Sequence, residues 1–128
     1  MRADYVTRPR EAVAEVLRAE RRFFSANEIH RALSRRDAKV SLSTVYRTLE
    51  YLYAKGDATV RRDDSGESTY MHCVPEHHHH HAICQRCGRV EDVDCDAIER
   101  FAESLRSIHG FELDGHRMEF LGRCRACR

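Results

Sequence analysis

Residues 73 to 87 read Cys-Val-Pro-Glu-His-His-His-His-His-Ala-Ile-Cys-Gln-Arg-Cys, and no other stretch constrains the chain as tightly. The histidine run, His77 to His81, lies between a lone thiol, Cys73, and the Cys-x-x-C pair Cys84 and Cys87. It leads straight into the apolar Ala82-Ile83, which is unlike a terminal purification tag. A second Cys-x-x-C, Cys124 and Cys127, lies at the other end of the rear half. Thiolate and imidazole are the donors zinc prefers, and two such pairs are the sequence form of a closed tetrahedral site. Cys84, Cys87, Cys124 and Cys127 fill that shell, so the site is structural. A thioredoxin-type pair needs a helix start after a strand, which the position of Cys124 and Cys127 does not offer.

The chain has 128 residues, which allows one domain or two small ones with little core each. No apolar stretch approaches the roughly 20 residues of a membrane span. The opening residues hold no apolar signal segment, which points away from export. Six cysteines in an exported chain could form a disulfide framework, but paired spacing favours reduced thiols holding metal in the cytoplasm. Net charge is only +1, yet residues 1–62 carry 14 Lys+Arg against 8 Asp+Glu, and residues 63–128 carry 8 against 13. The difference, +6 against −5, suggests a polyanion-binding front and a cation-gathering rear, or simply solvated surface.

In the front half, Pro9 precedes Ala12, Val13, Val16 and Leu17, an apolar set at helical spacing with proline in the first turn. Ser25-Ala-Asn-Glu28 has the form of a capping box opening a helix that buries Ile29, Ala32 and Leu33. A third helix starts near Ser41, repeats Val45, Leu49 and Leu52, and stops at Gly56. Ala58–Arg62 and Glu67–His72 flank the polar turn Asp63–Gly66, which predicts a β-hairpin. Three helices and a hairpin are the pattern of a winged helix-turn-helix, whose last helix enters the major groove of DNA. Its polar face would offer Ser43, Thr44, Tyr46, Arg47 and Thr48 to base edges or phosphate. Arg8 and Arg10, with Arg61 and Arg62 on the wing, would add phosphate or minor-groove contacts. The same fold also serves as a protein-interaction module, in which case Tyr46 and Tyr53 could be core.

The rear half predicts a strand at Arg89–Val93, then a second capping box, Asp96-Ala-Ile-Glu99. The helix it opens carries Ile98, Phe101, Ala102, Leu105 and Ile108 on one face and ends at Gly110. Phe111–Gly115 and His116–Leu121 read as strands. About 50 residues are too few for a self-sufficient core, so a metal clamp and a dimer interface are both expected.

In an extended segment successive side chains point to opposite faces. His79 and His81 would face one way, and His78 and His80 the other. One strand could thus feed two metal sites, with Cys73 a soft donor on one face and Glu99 and His116 partners on the other. A loosely binding His-rich tract is the alternative. Cys95 has no partner at ligand spacing and reads as a small buried apolar residue.

Taken together, these residues resemble the ferric uptake regulator family, most closely its zinc uptake regulator branch. The resemblance is carried by Thr7-Arg-Pro-Arg10, the helix Ser25 to Leu33, Ser43-Thr-Val-Tyr-Arg-Thr-Leu49, Gly66-Glu-Ser68, the histidine run, both Cys-x-x-C pairs and His109-Gly-Phe111. It implies an α+β chain: a winged-helix DNA-binding domain over 1–72, a hinge at 73–77 and a zinc-stabilised dimerisation domain over 78–128. It also implies a homodimer on an AT-rich palindromic operator, repressing metal-uptake genes. By that likeness Tyr46 and Arg47 sit on the recognition helix and Arg10 lies near the minor groove. Cys73, His79 and His81 match the sensing metal site, and His78, His80, Glu99 and His116 an accessory one. Each chain would hold one structural Zn2+ and one or two regulatory ions.

The zinc branch usually completes its sensing site with an aspartate where this chain has Thr59. The fourth ligand is open among Asp57, Asp63, His72, Glu76 and water. A thiolate with two imidazoles suits zinc, whereas oxygen-rich shells suit iron or manganese. An iron-, manganese- or peroxide-responsive regulator is the alternative within the family. A zinc hydrolase would need an open metal position and a general base, and the sequence has no His-Glu-x-x-His. A zinc storage or delivery protein would explain the histidines but not the recognition helix.

Overall fold

Ser25 sets the frame of the front half. Its hydroxyl accepts the Glu28 N–H at 3.1 Å, and the Glu28 carboxylate accepts the Ser25 N–H at 3.1 Å. A computed structural model of the chain describes residues 8–73 and 79–128, apart from the side chain of Ala97. The chain divides into two units, Met1–Pro75 and Glu76–Arg128, of which those residues are the described parts.

The first unit runs α1 (Arg8–Ala19), β1 (Phe24–Ser25), α2 (Ala26–Arg35), α3 (Leu42–Lys55), β2 (Ala58–Arg62) and β3 (Ser68–His72). Its core joins Val13, Val16 and Leu17 of α1 to Ile29 and Leu33 of α2 and Val45 and Leu49 of α3. Each such side chain removed from water contributes roughly 1.5–3 kcal/mol. The capping box opens α2 as its spacing predicts. Ser41 caps α3 by accepting the Thr44 N–H at 3.2 Å. Gly56 ends α3 at φ 90°, a left-handed conformation that costs glycine nothing. The hairpin pairs Ala58 with His72 through Arg62 with Ser68. A strand not foreseen from sequence, β1, adds to its far side through Phe24–Tyr70 and Ser25–Thr69, giving the order β1-β3-β2.

The second unit runs β4 (His80–Cys84), β5 (Val90–Val93), α4 (Asp96–His109) and β6 (Glu119–Gly122). The order is therefore strand, strand, helix, strand, and the histidine run itself supplies the central strand. β4 pairs antiparallel with β5 and parallel with β6, α4 lying in the crossover between β5 and β6. Phe111–Gly115, expected as a strand, is irregular, and the later one is confined to Glu119–Gly122. The second capping box does not form. Asp96 is already inside α4, Cys95 occupies the cap position without a side-chain bond, and the Asp94 carboxylate takes the Asp96 N–H at 3.2 Å. Among the described residues of this unit, only Ile83, Cys84, Val90 and Ile98 are buried hydrophobics, while Phe101, Ile108, Phe111, Phe120 and Leu121 are exposed. So few buried groups do not offset the ordering of some 50 residues. Among the described residues, no helix is long and apolar enough to cross a membrane.

Candidate metal centres

Cys84 closes β4, and Cys87 follows on the turn that leads into β5. The parallel register sets Cys84 beside Gly122, and the Gln85 N–H bonds the Gly122 carbonyl at 2.8 Å. This ties the first thiol turn to the second, which carries Cys124 and Cys127. The four sulfurs lie within 4.8 Å of one another, and Cys87 Sγ is 3.7 Å from Cys124 Sγ. Sulfurs on a tetrahedral zinc with 2.3 Å bonds would be about 3.8 Å apart, so the donor set fits that ion. Backbone N–H groups of Cys124 and Cys87 pull the Cys84 thiol down to about 6. Hydrogen bonding to Cys124, burial and the other thiols push Cys127 up to about 12. Four thiols this close cannot all ionise unaided, and a bound dication removes the conflict.

On β4 the two faces separate as the alternation predicts. His79 and His81 share a side, their ring centroids 5.0 Å apart. Both Nε2 atoms stand 3.7 Å from Asp92 Oδ1. Asp92 was not foreseen as a site residue, yet it is the cross-strand partner of His81. This side therefore offers two imidazoles and a carboxylate from the second unit alone.

His80 faces the other way and is buried. Its Nε2 lies 2.8 Å from His116 Nε2 and 3.2 Å from Cys95 Sγ, and Cys95 Sγ is 3.7 Å from His116 Nε2. This corrects the reading of Cys95 as an apolar filler. His80 and His116 come together as anticipated, but Cys95 stands with them. Glu99 is exposed one turn into α4 and is not in the group. His78 lies outside the described residues. Burial, together with Asp94, Glu99 and Asp96, pushes the Cys95 thiol upward.

Cys73 follows β3, and its N–H bonds the Asp57 carbonyl at 3.2 Å. Asp57 thus sits at the Cys73 end of the hairpin. Asp63 does not. It holds the turn at the other end, its carboxylate accepting from Ser65 N, Ser65 Oγ and Glu67 N at 2.9, 2.5 and 3.0 Å. The Ser65 hydroxyl, above all, holds Asp63 below the usual carboxylate range. Asp63 is thus at the far end of the hairpin from Cys73, with its carboxylate engaged by the turn. Thr59 pairs with Met71 inside the hairpin.

On α3, Ser43, Tyr46 and Arg47 are exposed and Thr44 is half-buried. Thr48 is corrected: it is buried, and its hydroxyl donates to the Thr44 carbonyl at 2.8 Å. Tyr46 and Tyr53 are exposed rather than core. Arg8 is exposed at the start of α1, and the Arg10 guanidinium lies 3.9 Å over the Tyr51 ring of α3. On the wing, Arg62 is exposed and Arg61 half-buried.

The profile of the Ferric uptake regulator family matches residues 4–121. The chain belongs to the ferric uptake regulator family. It is 39% identical over 122 residues to a zinc uptake regulation protein of Mycobacterium tuberculosis, covering 95% of this chain and 93% of that one. Among solved structures it is similar to FurB from M. tuberculosis, a zinc uptake regulator, with 39% identity, TM-score 0.56 and coverage of 94% and 93%. A zinc-bound manganese uptake regulator aligns with TM-score 0.75, 32% identity and coverage of 94% and 90%. As a family member the chain is a metal-responsive transcriptional regulator and not an enzyme. The ferric uptake regulator fold accounts for its α+β make-up and its two small sheets.

Proposed function

We propose that this regulator is a zinc-responsive repressor of metal-uptake genes, acting as a homodimer on an AT-rich palindromic operator. Its DNA-binding part spans residues 1–72, with a hinge at 73–77 and a dimerisation part over 78–128. The observation that carries this reading is the donor chemistry: four clustered thiols, and histidines paired with soft sulfur rather than with oxygen alone. Its 39% identity to a zinc uptake regulation protein agrees. Cys84, Cys87, Cys124 and Cys127 hold the structural zinc. Cys73, His79 and His81 are the sensing donors, with Asp57 or Asp92 completing the set. Metal shifts a regulator between states only by its difference in affinity for them, so donors from both units are what such a switch requires. Ser43, Thr44, Tyr46 and Arg47 read the operator, while Arg8 and Arg10 contact its backbone. The exposed apolar set Phe101, Ile108, Phe120 and Leu121 supplies the surface a second copy covers.

A second reading rests on Asp92. Two imidazoles and a carboxylate, without a thiolate, are donors that ferrous iron and manganese accept as well as zinc. The deciding experiment is operator binding by the purified protein, stripped of exchangeable metal and titrated with buffered zinc, ferrous iron and manganese at fixed salt. Tightening at the lowest free zinc supports the first reading, and a preferential response to iron or manganese supports the second. Tight zinc uptake without DNA retention would turn the histidines into a store.

A further inference from the structure

The group on the far side of β4 differs from the all-histidine-and-carboxylate set that the family likeness implies. Three elements converge there: His80 from the central strand, Cys95 from the cap of α4, and His116 from the segment before β6. The donor atoms stand 2.8, 3.2 and 3.7 Å apart. On a tetrahedral zinc, with bonds of about 2.0–2.1 Å to nitrogen and 2.3 Å to sulfur, the same edges would be about 3.3 Å for N–N and about 3.6 Å for N–S. The Cys95–His116 edge already has that length, and opening the other two edges by roughly half an ångström or less admits the ion. Donors on a strand, a helix cap and a short connection are also held by three separate backbone anchors, so the triangle is pre-shaped. Asp94 and Asp96 flank the thiol in sequence and Glu99 follows one turn on, which gives the place a field that favours a cation.

We propose that Cys95, with His80 and His116, forms a thiolate-bearing second regulatory metal site, selective for zinc-like ions, in which the sulfur takes the place of Glu99. This rests on the reading of the chain as a metal-responsive regulator with more than one exchangeable site. The thiolate separates the site from one for manganese or ferrous iron, because soft sulfur raises affinity for zinc and cobalt far more than for those ions. Glu99, exposed on the first turn of α4, then acts at most on the field around the ion.

The test uses full-length protein that keeps its four-cysteine zinc, in a Cys73→Ser background, so that Cys95 is the only other thiol. Cobalt(II) is the probe, because a thiolate ligand gives it an intense near-ultraviolet charge-transfer absorption that nitrogen and oxygen donors lack. The expected result is one such thiolate absorption per chain, present with C73S and with C73S/E99Q and lost with C73S/C95S. A Cys95→His change keeps cobalt binding while losing the sulfur absorption, which separates a ligand role from misfolding. Zinc content of one per chain throughout shows that the four-cysteine site has not exchanged. Absorption that survives C95S, or cobalt taken up with no sulfur absorption in C73S, overturns the proposal. So does loss of cobalt with E99Q alone. Operator binding by the parent chain is read separately. A failure there to respond to zinc sinks the zinc-repressor reading and leaves the Cys95 absorption to be judged by itself.

Discussion

Cys87 Sγ lies 3.7 Å from Cys124 Sγ, close to the edge of a zinc–thiolate tetrahedron. The two thiol turns are also joined by the parallel pairing of β4 with β6, by a bond from the Gln85 N–H to the Gly122 carbonyl, and by the Cys124 N–H at the Cys84 thiol. With so few buried hydrophobics among the described residues of the second unit, metal binding and folding there are expected to be one event. Cys124→Ser or strong chelation should therefore unfold β4 to β6 as a unit, since structural zinc contributes on the order of 10 kcal/mol in small domains. The first unit, with its own core, should keep α1 to α3. Hydrogen exchange resolved by residue checks this: protection lost across both units alike would contradict it.

The Arg22 guanidinium is 2.8 Å from the Glu28 carboxylate, which also accepts the Ser25 N–H. Although burial works the other way, the Arg22 and Ser25 hydrogen bonds together hold Glu28 below its ordinary 4.5. A carboxyl with a depressed folded pKa stabilises above its unfolded value and stops doing so as pH falls through the folded one. Ser25→Ala should cost about 1 kcal/mol at neutral pH as a lost cap. Glu28→Gln should destabilise above pH 4.5 and become indistinguishable from the parent once the parent's carboxyl is protonated. Comparing α2 amide protection in parent and variant at pH 7 and in acid measures both, and a deficit that persisted unchanged in acid would count against the assignment.

On the proposed DNA face the side chains divide by role. Arg47 is exposed on α3 and is proposed to read base edges, so Arg47→Ala should cost roughly 1–3 kcal/mol and relax specificity at one operator position. Arg8 is exposed at the start of α1 and suited to phosphate. Arg8→Ala should weaken binding to all sequences and lower the salt slope by about 1. Binding to operator and scrambled duplexes across a salt series separates the two, and equal losses on both duplexes for Arg47 would refute its role.

What could be read from the sequence was local. The capping box of α2, the glycine stop of α3 and the hairpin turn are each written in a few consecutive residues, and all three form. β1 escaped because two residues carry no periodicity and become a strand only by pairing with Tyr70 and Thr69. Phe111–Gly115 has strand-like residues but pairs with no strand among the described residues, and stays irregular. The four-cysteine group was readable because its spacing is its signature. Cys95 was not, since its partners are 15 and 21 residues away and nothing short of the β4–β5 register and the start of α4 brings them together. Asp92 had a weak signal. Alternation along Val90–Val93, antiparallel to the histidine strand, puts an acid opposite His81.

That position makes Asp92 a test of which metal the chain senses. Its Oδ1 is equally far, 3.7 Å, from His79 Nε2 and His81 Nε2, so one carboxylate can complete a site that both imidazoles begin. Hard oxygen matters most to manganese and ferrous iron, and soft sulfur most to zinc. Asp92→Asn should therefore raise the manganese or iron needed for operator binding by about 10- to 100-fold, the range seen when a metal site loses a supporting carboxylate. It should change the zinc requirement much less. Cys73→Ser should do the reverse. If Asp92→Asn moves the zinc requirement as far as it moves the manganese one, the carboxylate is a ligand for zinc as well, and Cys73 alone does not set the preference.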